Sequence, residues 1–348
     1  MTTADGRLLL IGCVQKNPEI RDQFQAMFET PVELINIFDF DAAQQTDRAE
    51  EVDAIFVIDN QTRLIPDLHQ FQNLKLVLNF SVGYDNFSSD MIPDGCLFVN
   101  TFEHEQPIAD WVIMAILMLS RDVMSVDASF RNQTLRGFAE TGGMKLDMSD
   151  ATVGVIGYGH IGREIVRKCR LFESRCLVTM RNPISDTDAA SAGIDRVFPM
   201  SDLHEMLAQC DFVVPAIPAT SQVTGMFSTK EFRVMKDTAY IVNIARAELL
   251  DEQATYNALK ARTIAGAALD VWWDEDPLGL ASDDPDRRKW SSYPFWELDN
   301  VIMSPHWSSL STAMLRRKFT ALALQVDHLN RGEPLINVIP ELSKARIT

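Results

Sequence analysis

Few cysteines, no long apolar run and a shortage of positive charge set the first limits on this sequence. Its five cysteines, Cys13, Cys96, Cys169, Cys176 and Cys210, are scattered and never fall in a C-x-x-C pair. That tells against a disulfide framework and a zinc site, so no metal is expected and a reducing cytoplasmic compartment is. The longest apolar run, Trp111–Leu119, is too short to span a bilayer. Met1–Arg7 lacks the basic segment and apolar stretch of a secretory signal. Lysine and arginine number 32 against 49 acidic residues, for a net charge of -17. Such a surface repels nucleic acid and anionic membrane, so neither is an expected partner. An anionic small molecule must then be held by a few local cations or backbone N–H groups.

What is present is ordinary globular material. The 348 residues are 46% hydrophobic and 23% charged, enough for two domains with their own cores. Short apolar runs at Leu8–Val14, Asp53–Ile58 and Lys75–Phe80 read as buried strands. Pro18–Phe28 between them has helical spacing. Pro107–Arg121 reads as a long apolar helix opened by a proline, with Asp110 in its first turn. From Ala151 the alternation resumes, with candidate strands at Thr152–Ile156, Cys176–Met180, Phe212–Ala216, Tyr240–Ile244, Ile264–Leu269 and Val301–Ser304. A last helix is expected over Ser311–Asn330, and exposed loops over Arg136–Asp150 and Gly279–Tyr293. Strands alternating with helices predict an α/β fold of doubly wound parallel sheets.

The strand Thr152–Ile156 runs directly into Gly157-Tyr158-Gly159-His160-Ile161-Gly162, which opens a helix-compatible stretch to Phe172. A lone G-x-G-x-x-G is weak; placed between a strand and a helix, with another strand following, it is specific. Gly157 permits the tight turn, Gly159 lets backbone approach a pyrophosphate, and Gly162 lets helix and strand pack closely. The helix N-terminus supplies N–H groups and positive dipole. At the end of the next strand, where an acid ordinarily binds the ribose hydroxyls, stand Met180 and Arg181. A guanidinium there suits a 2′-phosphate, which favours NADP(H) over NAD(H); the plainer alternative is a solvated surface arginine.

Three further strands end in polar residues: Asn243-Ile244-Ala245-Arg246, Leu269-Asp270-Val271 leading to Glu275-Asp276-Pro277, and Ser304-Pro305-His306. Alone, each is an ordinary cap, acidic run or structural histidine. Together with Ser81-Val82-Gly83-Tyr84-Asp85, Pro107-Ile108-Ala109-Asp110, the glycine motif and Ile217-Pro218-Ala219-Thr220, their order resembles the D-isomer-specific 2-hydroxyacid dehydrogenase family. That family includes glyoxylate/hydroxypyruvate reductases and phosphoglycerate dehydrogenases.

The resemblance implies two Rossmann-like domains with a cleft between them. One would be discontinuous, residues 1–104 plus 311–348, and bind substrate; the other, 105–310, would bind the dinucleotide. It implies reduction of a small 2-keto acid, with Arg246 on the carboxylate and carbonyl, His306 as acid and base, and Glu275 as the histidine's partner. Backbone N–H groups of Val82 and Gly83 would hold the substrate carboxylate. Gly157, Gly159, His160, Ile161, Gly162, Arg181, Ile217, Ala245 and Asp270 would contact the coenzyme. A homodimer is expected, with Ser125–Asp150 part of its interface. The sequence departs from the family pattern in three places. Asp110 stands for a usual glutamate, Glu173 for a usual glycine, and the stretch between Asp270 and Pro277 is one residue longer. The extra residue leaves Asp276 as an alternative to Glu275, whose longer arm favours it. Two other functions stay open: a dinucleotide-sensing regulator of the same fold, and a formate dehydrogenase-like enzyme.

Overall fold

Twelve strands and nine α-helices occur among the residues described by the structure, a computed structural model covering 9–13, 18–36, 50–57, 67–84, 87–134, 144–182, 184–274 and 290–344. The first unit contains β1 (Leu9–Cys13), α1 (Pro18–Gln25), β2 (Val32–Asn36), β3 (Ala54–Val57), β4 (Leu76–Asn79) and β5 (Leu97–Val99). Next come α2 (Glu105–Arg121), α3 (Val123–Arg131), β6 (Thr152–Ile156), α4 (His160–Leu171), β7 (Arg175–Met180), α5 (Asp186–Ser191) and β8 (Arg196–Pro199). They are followed by α6 (Leu203–Leu207), β9 (Phe212–Pro215), α7 (Thr229–Val234), β10 (Tyr240–Asn243), α8 (Glu252–Lys260), β11 (Gly266–Leu269) and β12 (Val301–Met303). The last helix is α9 (Thr312–Arg331). Among the described residues, those up to Glu103 and from Ser311 onward form one unit, and His104 to Leu310 the other.

In the first unit five parallel strands lie in the order β2-β1-β3-β4-β5. Alternate side chains along each strand feed opposite faces. Ala54 and Phe56 of β3 pack with Leu78 against Phe319, Leu322 and Val326 of α9. Ile55 and Val57 go to the other face with Val77, Phe98 and Leu342. Both faces are covered, which is why these strands read as continuous apolar runs.

The second unit has seven parallel strands in the order β12-β11-β10-β9-β6-β7-β8. The strand order reverses between β6 and β9, and open α/β sheets take ligands at the carboxyl ends beside such a point. Helix α2 buries Ile108, Val112, Ile116 and Leu119 along one stripe. The α/β class with two doubly wound parallel sheets is as expected from the sequence. Strands β2, β5 and β8 were not. All three are edge strands of five residues or fewer, too short for their spacing to stand out from the flanking sequence. Helix α2 also opens at Glu105, not Pro107, so Glu105 rather than Asp110 is the acid of its first turn.

Candidate functional site

The glycine turn after β6 is built as its residue types require. Gly157 has φ 98°, and a Cβ there would lie 2.5 Å from Ile217 Cγ2 and 2.7 Å from the Ala216 carbonyl. A Cβ on Gly162 would sit 2.1 Å from the Gly157 carbonyl, so α4 and the turn touch backbone to backbone. Gly159, the residue before α4, meets nothing within 4 Å at its Cβ position. Its glycine is thus not demanded by the protein's own packing, and the open space is what a close-lying phosphate needs. Gly159 gives α4 no side-chain cap, and the first turn of the helix is His160, Ile161 and Gly162. The Arg163 guanidinium lies 5.0 Å from the Tyr158 ring centre and adds positive charge at this end. These residues fit a dinucleotide. Arg181 stands exposed just beyond β7, with no hydrogen bond or ion pair to another described residue.

Glu173, where a glycine was expected, takes up φ 61°. The Ser174 N–H bonds the Cys169 carbonyl at 3.3 Å and the Glu173 N–H the Arg170 carbonyl at 3.1 Å. The helix therefore ends with a left-handed closing residue, and the missing glycine is tolerated as local strain.

The remaining polar residues of this unit leave adjacent strands. Register pairs Asn243 of β10 with Leu269 of β11, and Leu269 with Met303 of β12. Arg246, Asp270 and His306 follow these ends side by side. Asn243 is 1% exposed; its Oδ1 accepts the Ala245 N–H at 3.1 Å and its Nδ2 donates to the Arg246 carbonyl at 2.9 Å. That clamps the turn from which the half-buried Arg246 projects, with Nη1 donating to the Ala245 carbonyl at 2.9 Å. Asp270 is fully buried and organises the histidine loop. Its carbonyl accepts the His306 N–H at 2.7 Å. Its carboxylate accepts the Ser304 hydroxyl, the Trp307 N–H at 2.8 Å and the Ser308 N–H at 2.9 Å. His306 itself is exposed and held at φ 57°, an unfavourable backbone for a residue with a side chain. Trp272 adds a bond from its indole N–H to the Ser304 carbonyl at 2.8 Å.

Glu275 and Asp276 lie outside the described residues. Flanking them, the Asp274 N–H donates to the Trp290 carbonyl at 3.1 Å.

Val82 and Gly83 belong to the first unit, in the loop after β4. Asn79 Oδ1 accepts the Ser81 N–H at 3.1 Å, and Asn79 Nδ2 donates to the Gly83 carbonyl at 2.9 Å. Asn100 Nδ2 donates to the Val82 carbonyl at 2.8 Å, and Lys318 Nζ to the Phe80 carbonyl at 2.8 Å. Sequence reasoning missed Asn79, Asn100 and Lys318, and quoted Asn243 in a motif without giving it a role. A signal existed for two of them: asparagine closing an apolar strand marks a turn held by its own side chain.

The thiols of the described side chains are buried. Cys96, Cys169, Cys176 and Cys210 are free and buried. Burial pushes Cys96 and Cys210 up to about 12, so neither is a thiolate near neutrality. Among the described residues no cluster of metal-ligating side chains occurs, and no helix is long and apolar enough to cross a membrane.

Residues 113–308 match the family described as D-isomer specific 2-hydroxyacid dehydrogenase, NAD binding domain. The chain is 29% identical over 310 residues to glyoxylate reductase of Pyrococcus furiosus, covering 86% of each protein. It is 28% identical over 289 residues to D-3-phosphoglycerate dehydrogenase of Methanocaldococcus jannaschii, spanning 82% of this chain and 51%, about half, of that relative. Its fold is similar to that of an NADPH-dependent glyoxylate/hydroxypyruvate reductase from Sinorhizobium meliloti, solved with NADP and sulfate. The TM-score is 0.75 at 21% identity, over 97% of this chain and 100% of the other. The match covers more than half of the sequence and includes the glycine turn and the strand ends that carry Arg246 and His306. The chain belongs to the D-isomer specific 2-hydroxyacid dehydrogenase family.

Proposed function

We propose that the protein reduces short 2-keto acids of the glyoxylate and hydroxypyruvate type to D-2-hydroxy acids, with NADP(H) favoured over NAD(H). The observation that carries this reading is the alignment of three strand ends, with buried Asn243 and Asp270 fixing the loops of Arg246 and His306.

Gly157, Gly159, His160, Ile161, Gly162, Ile217, Ala245 and Asp270 are assigned to the dinucleotide, with Arg181 on a 2′-phosphate. When bound, the dinucleotide supplies the hydride. Arg246 holds the carboxylate and stabilises negative charge developing on the keto oxygen; its fork of donors suits two adjacent oxygens. His306 delivers a proton to that oxygen from its ring and takes it back in the reverse direction. Glu275, with Asp276 as the alternative, holds the other ring nitrogen and favours the imidazolium. The N–H groups of Val82 and Gly83 are assigned to the substrate carboxylate.

The unit formed by His104 to Leu310 leaves Met114, Val123, Met124, Val126, Phe130 and Met144 exposed, Phe130 by 71%. An apolar surface of this kind favours burial against a partner, and a homodimer through α2 and α3 is proposed. Sedimentation of the purified protein tests it. The four thiols whose side chains are described are free, which suits a cytoplasmic setting.

Steady-state assays of glyoxylate, hydroxypyruvate and related keto acids with NADPH and NADH, beside formate oxidation, test the activity. Turnover of keto acids that drops by about a thousandfold or more in His306→Asn is the expected result. Negligible turnover of every keto acid, or full activity in that variant, overturns the proposal.

A further inference from the structure

The loop after β4 turns four consecutive carbonyls into the protein. Phe80 accepts from Lys318 Nζ, Ser81 from the Thr101 N–H at 3.3 Å, Val82 from Asn100 Nδ2, and Gly83 from Asn79 Nδ2. In a trans peptide the N–H points opposite to the C=O. The peptide whose carbonyl is Ser81's carries the Val82 N–H, and the peptide whose carbonyl is Val82's carries the Gly83 N–H. Both N–H groups are therefore aimed away from the donors that hold those carbonyls. Neither has an acceptor among the described residues. By contrast, the Phe80 N–H bonds the Val57 carbonyl at 2.9 Å and the Ser81 N–H bonds Asn79 Oδ1.

Asn100 is the side chain that sets the Gly83 N–H. It is 5% exposed, and its Oδ1 is buried with no hydrogen-bond partner among the described residues. A buried amide with its acceptor unsatisfied is a poor choice for stability, since an apolar side chain of the same size avoids that penalty. Its donor end, on the Val82 carbonyl, is what distinguishes it from leucine.

We infer that Asn100 is a positioning residue that aims the Val82–Gly83 N–H pair at an anion, the carboxylate of the substrate. The inference rests on the proposed reduction of 2-keto acids. It goes beyond that reading in assigning the orientation of the anion-binding peptides to a residue that never touches the ligand. Lys318 contributes twice, through its bond to Phe80 and through a buried positive charge beneath the loop, in a chain whose net charge is -17.

The test is Asn100→Leu in the full-length protein, with Asn100→Ala used if the first does not fold. The expected result is a rise of about tenfold in KM for glyoxylate and in the dissociation constant of oxamate, a carboxylate that mimics the substrate. Turnover at saturation stays within about threefold and the NADPH dissociation constant is unchanged, because the carboxylate is held equally in the ground and transition states. The melting temperature stays within about 3 °C, since one orphaned carbonyl replaces one orphaned amide oxygen. A folded variant that binds oxamate as wild type does overturns the inference. So does one that loses coenzyme and oxamate binding in proportion to a fall in melting temperature. If wild type binds oxamate but reduces no keto acid, the proposed function fails while the loop's role is still decided by the oxamate titration. If wild type reduces glyoxylate and the variant keeps its KM, the loop fails alone.

Discussion

Replacing Asp270 by asparagine isolates what the buried carboxylate does for the histidine loop. Shape is kept, but one oxygen becomes an N–H₂ group. Three donors converge on the carboxylate: the Ser304 hydroxyl and the Trp307 N–H on Oδ1, and the Ser308 N–H on Oδ2. The Ser304 hydroxyl can rotate to accept; the two backbone N–H groups cannot. Whichever way the new amide faces, at least one of them meets another donor. An orphaned buried N–H costs about 1–3 kcal/mol, and the bonds that survive lose charge assistance, about 0.5–1 kcal/mol each. Relief of the carboxylate's own desolvation offsets part of this. The net loss is about 1–3 kcal/mol, read by urea denaturation. With His306 as the proposed acid and base, the expected catalytic consequence is larger than the stability consequence, because His306 sits at φ 57° and its loop is bonded to Asp270. Displacing its ring by about 1 Å costs about a hundredfold in turnover. Stopped-flow reduction of glyoxylate under saturating coenzyme is the assay. A variant with turnover within twofold of wild type and unchanged stability refutes the idea that Asp270 organises the loop. A variant that instead loses only coenzyme affinity places its main role at the nicotinamide.

Arg181→Ala is expected to lower kcat/KM with NADPH by about tenfold or more and leave NADH nearly unchanged, since in the proposed assignment the guanidinium serves the 2′-phosphate alone; equal losses with both coenzymes contradict this. Glu173→Gly removes left-handed strain at the end of α4 and raises stability by about 1 kcal/mol, measured by thermal denaturation. Glu231 closes a capping box on α7 with Ser228 and bonds His204 Nε2 at 2.9 Å. Burial alone raises its carboxyl, but the bonds from Ser228 and His204 outweigh it and bring it to about 2. Because the folded-state value lies below the ordinary 4.5, this stabilisation is present above pH 4.5 and is lost as pH falls towards 2. Glu231→Ala should cost about 1 kcal/mol at pH 7 and show a shallower acid destabilisation than wild type between those values.

Most of the fold was legible because the central strands of both sheets are buried on two faces. Thr152–Ile156 and Leu76–Asn79 are apolar or small at nearly every position, and no helix of that composition is so short. The edge strand Arg196–Pro199 escaped because arginine and proline suit an edge and break an apolar pattern. The glycine turn was legible because steric demand has few sequence solutions: nothing larger fits 2.1 Å from the Gly157 carbonyl. That Arg246, Asp270 and His306 follow neighbouring strand ends was legible only from their order as a set, since a strand end by itself says nothing about its neighbours in the sheet. The supporting shell was hidden for the same reason. Lys318 reaches the Phe80 carbonyl and Asn100 reaches that of Val82 across long stretches of sequence, and no local pattern announces such a bond.

Asn79 and Asn243 solve one problem in two separate sheets. Each is the last residue of a parallel strand, each is buried, and each accepts the N–H two residues ahead through Oδ1. The Nδ2 of each donates to a carbonyl further along the turn, Gly83 in one case and Arg246 in the other. A chain leaving a buried strand must satisfy both kinds of backbone group at once, and a carboxamide carries one acceptor and one donor on a single rigid plane. Aspartate can only accept, so it would leave the second carbonyl facing negative charge; serine lacks the reach to hold both ends. Where the loop needs three acceptors and no donor, as at the His306 turn, the chain uses Asp270. The choice between asparagine and aspartate at these strand ends thus follows the count of donors and acceptors that each loop presents. The side chains proposed to do the chemistry depend on that local arithmetic.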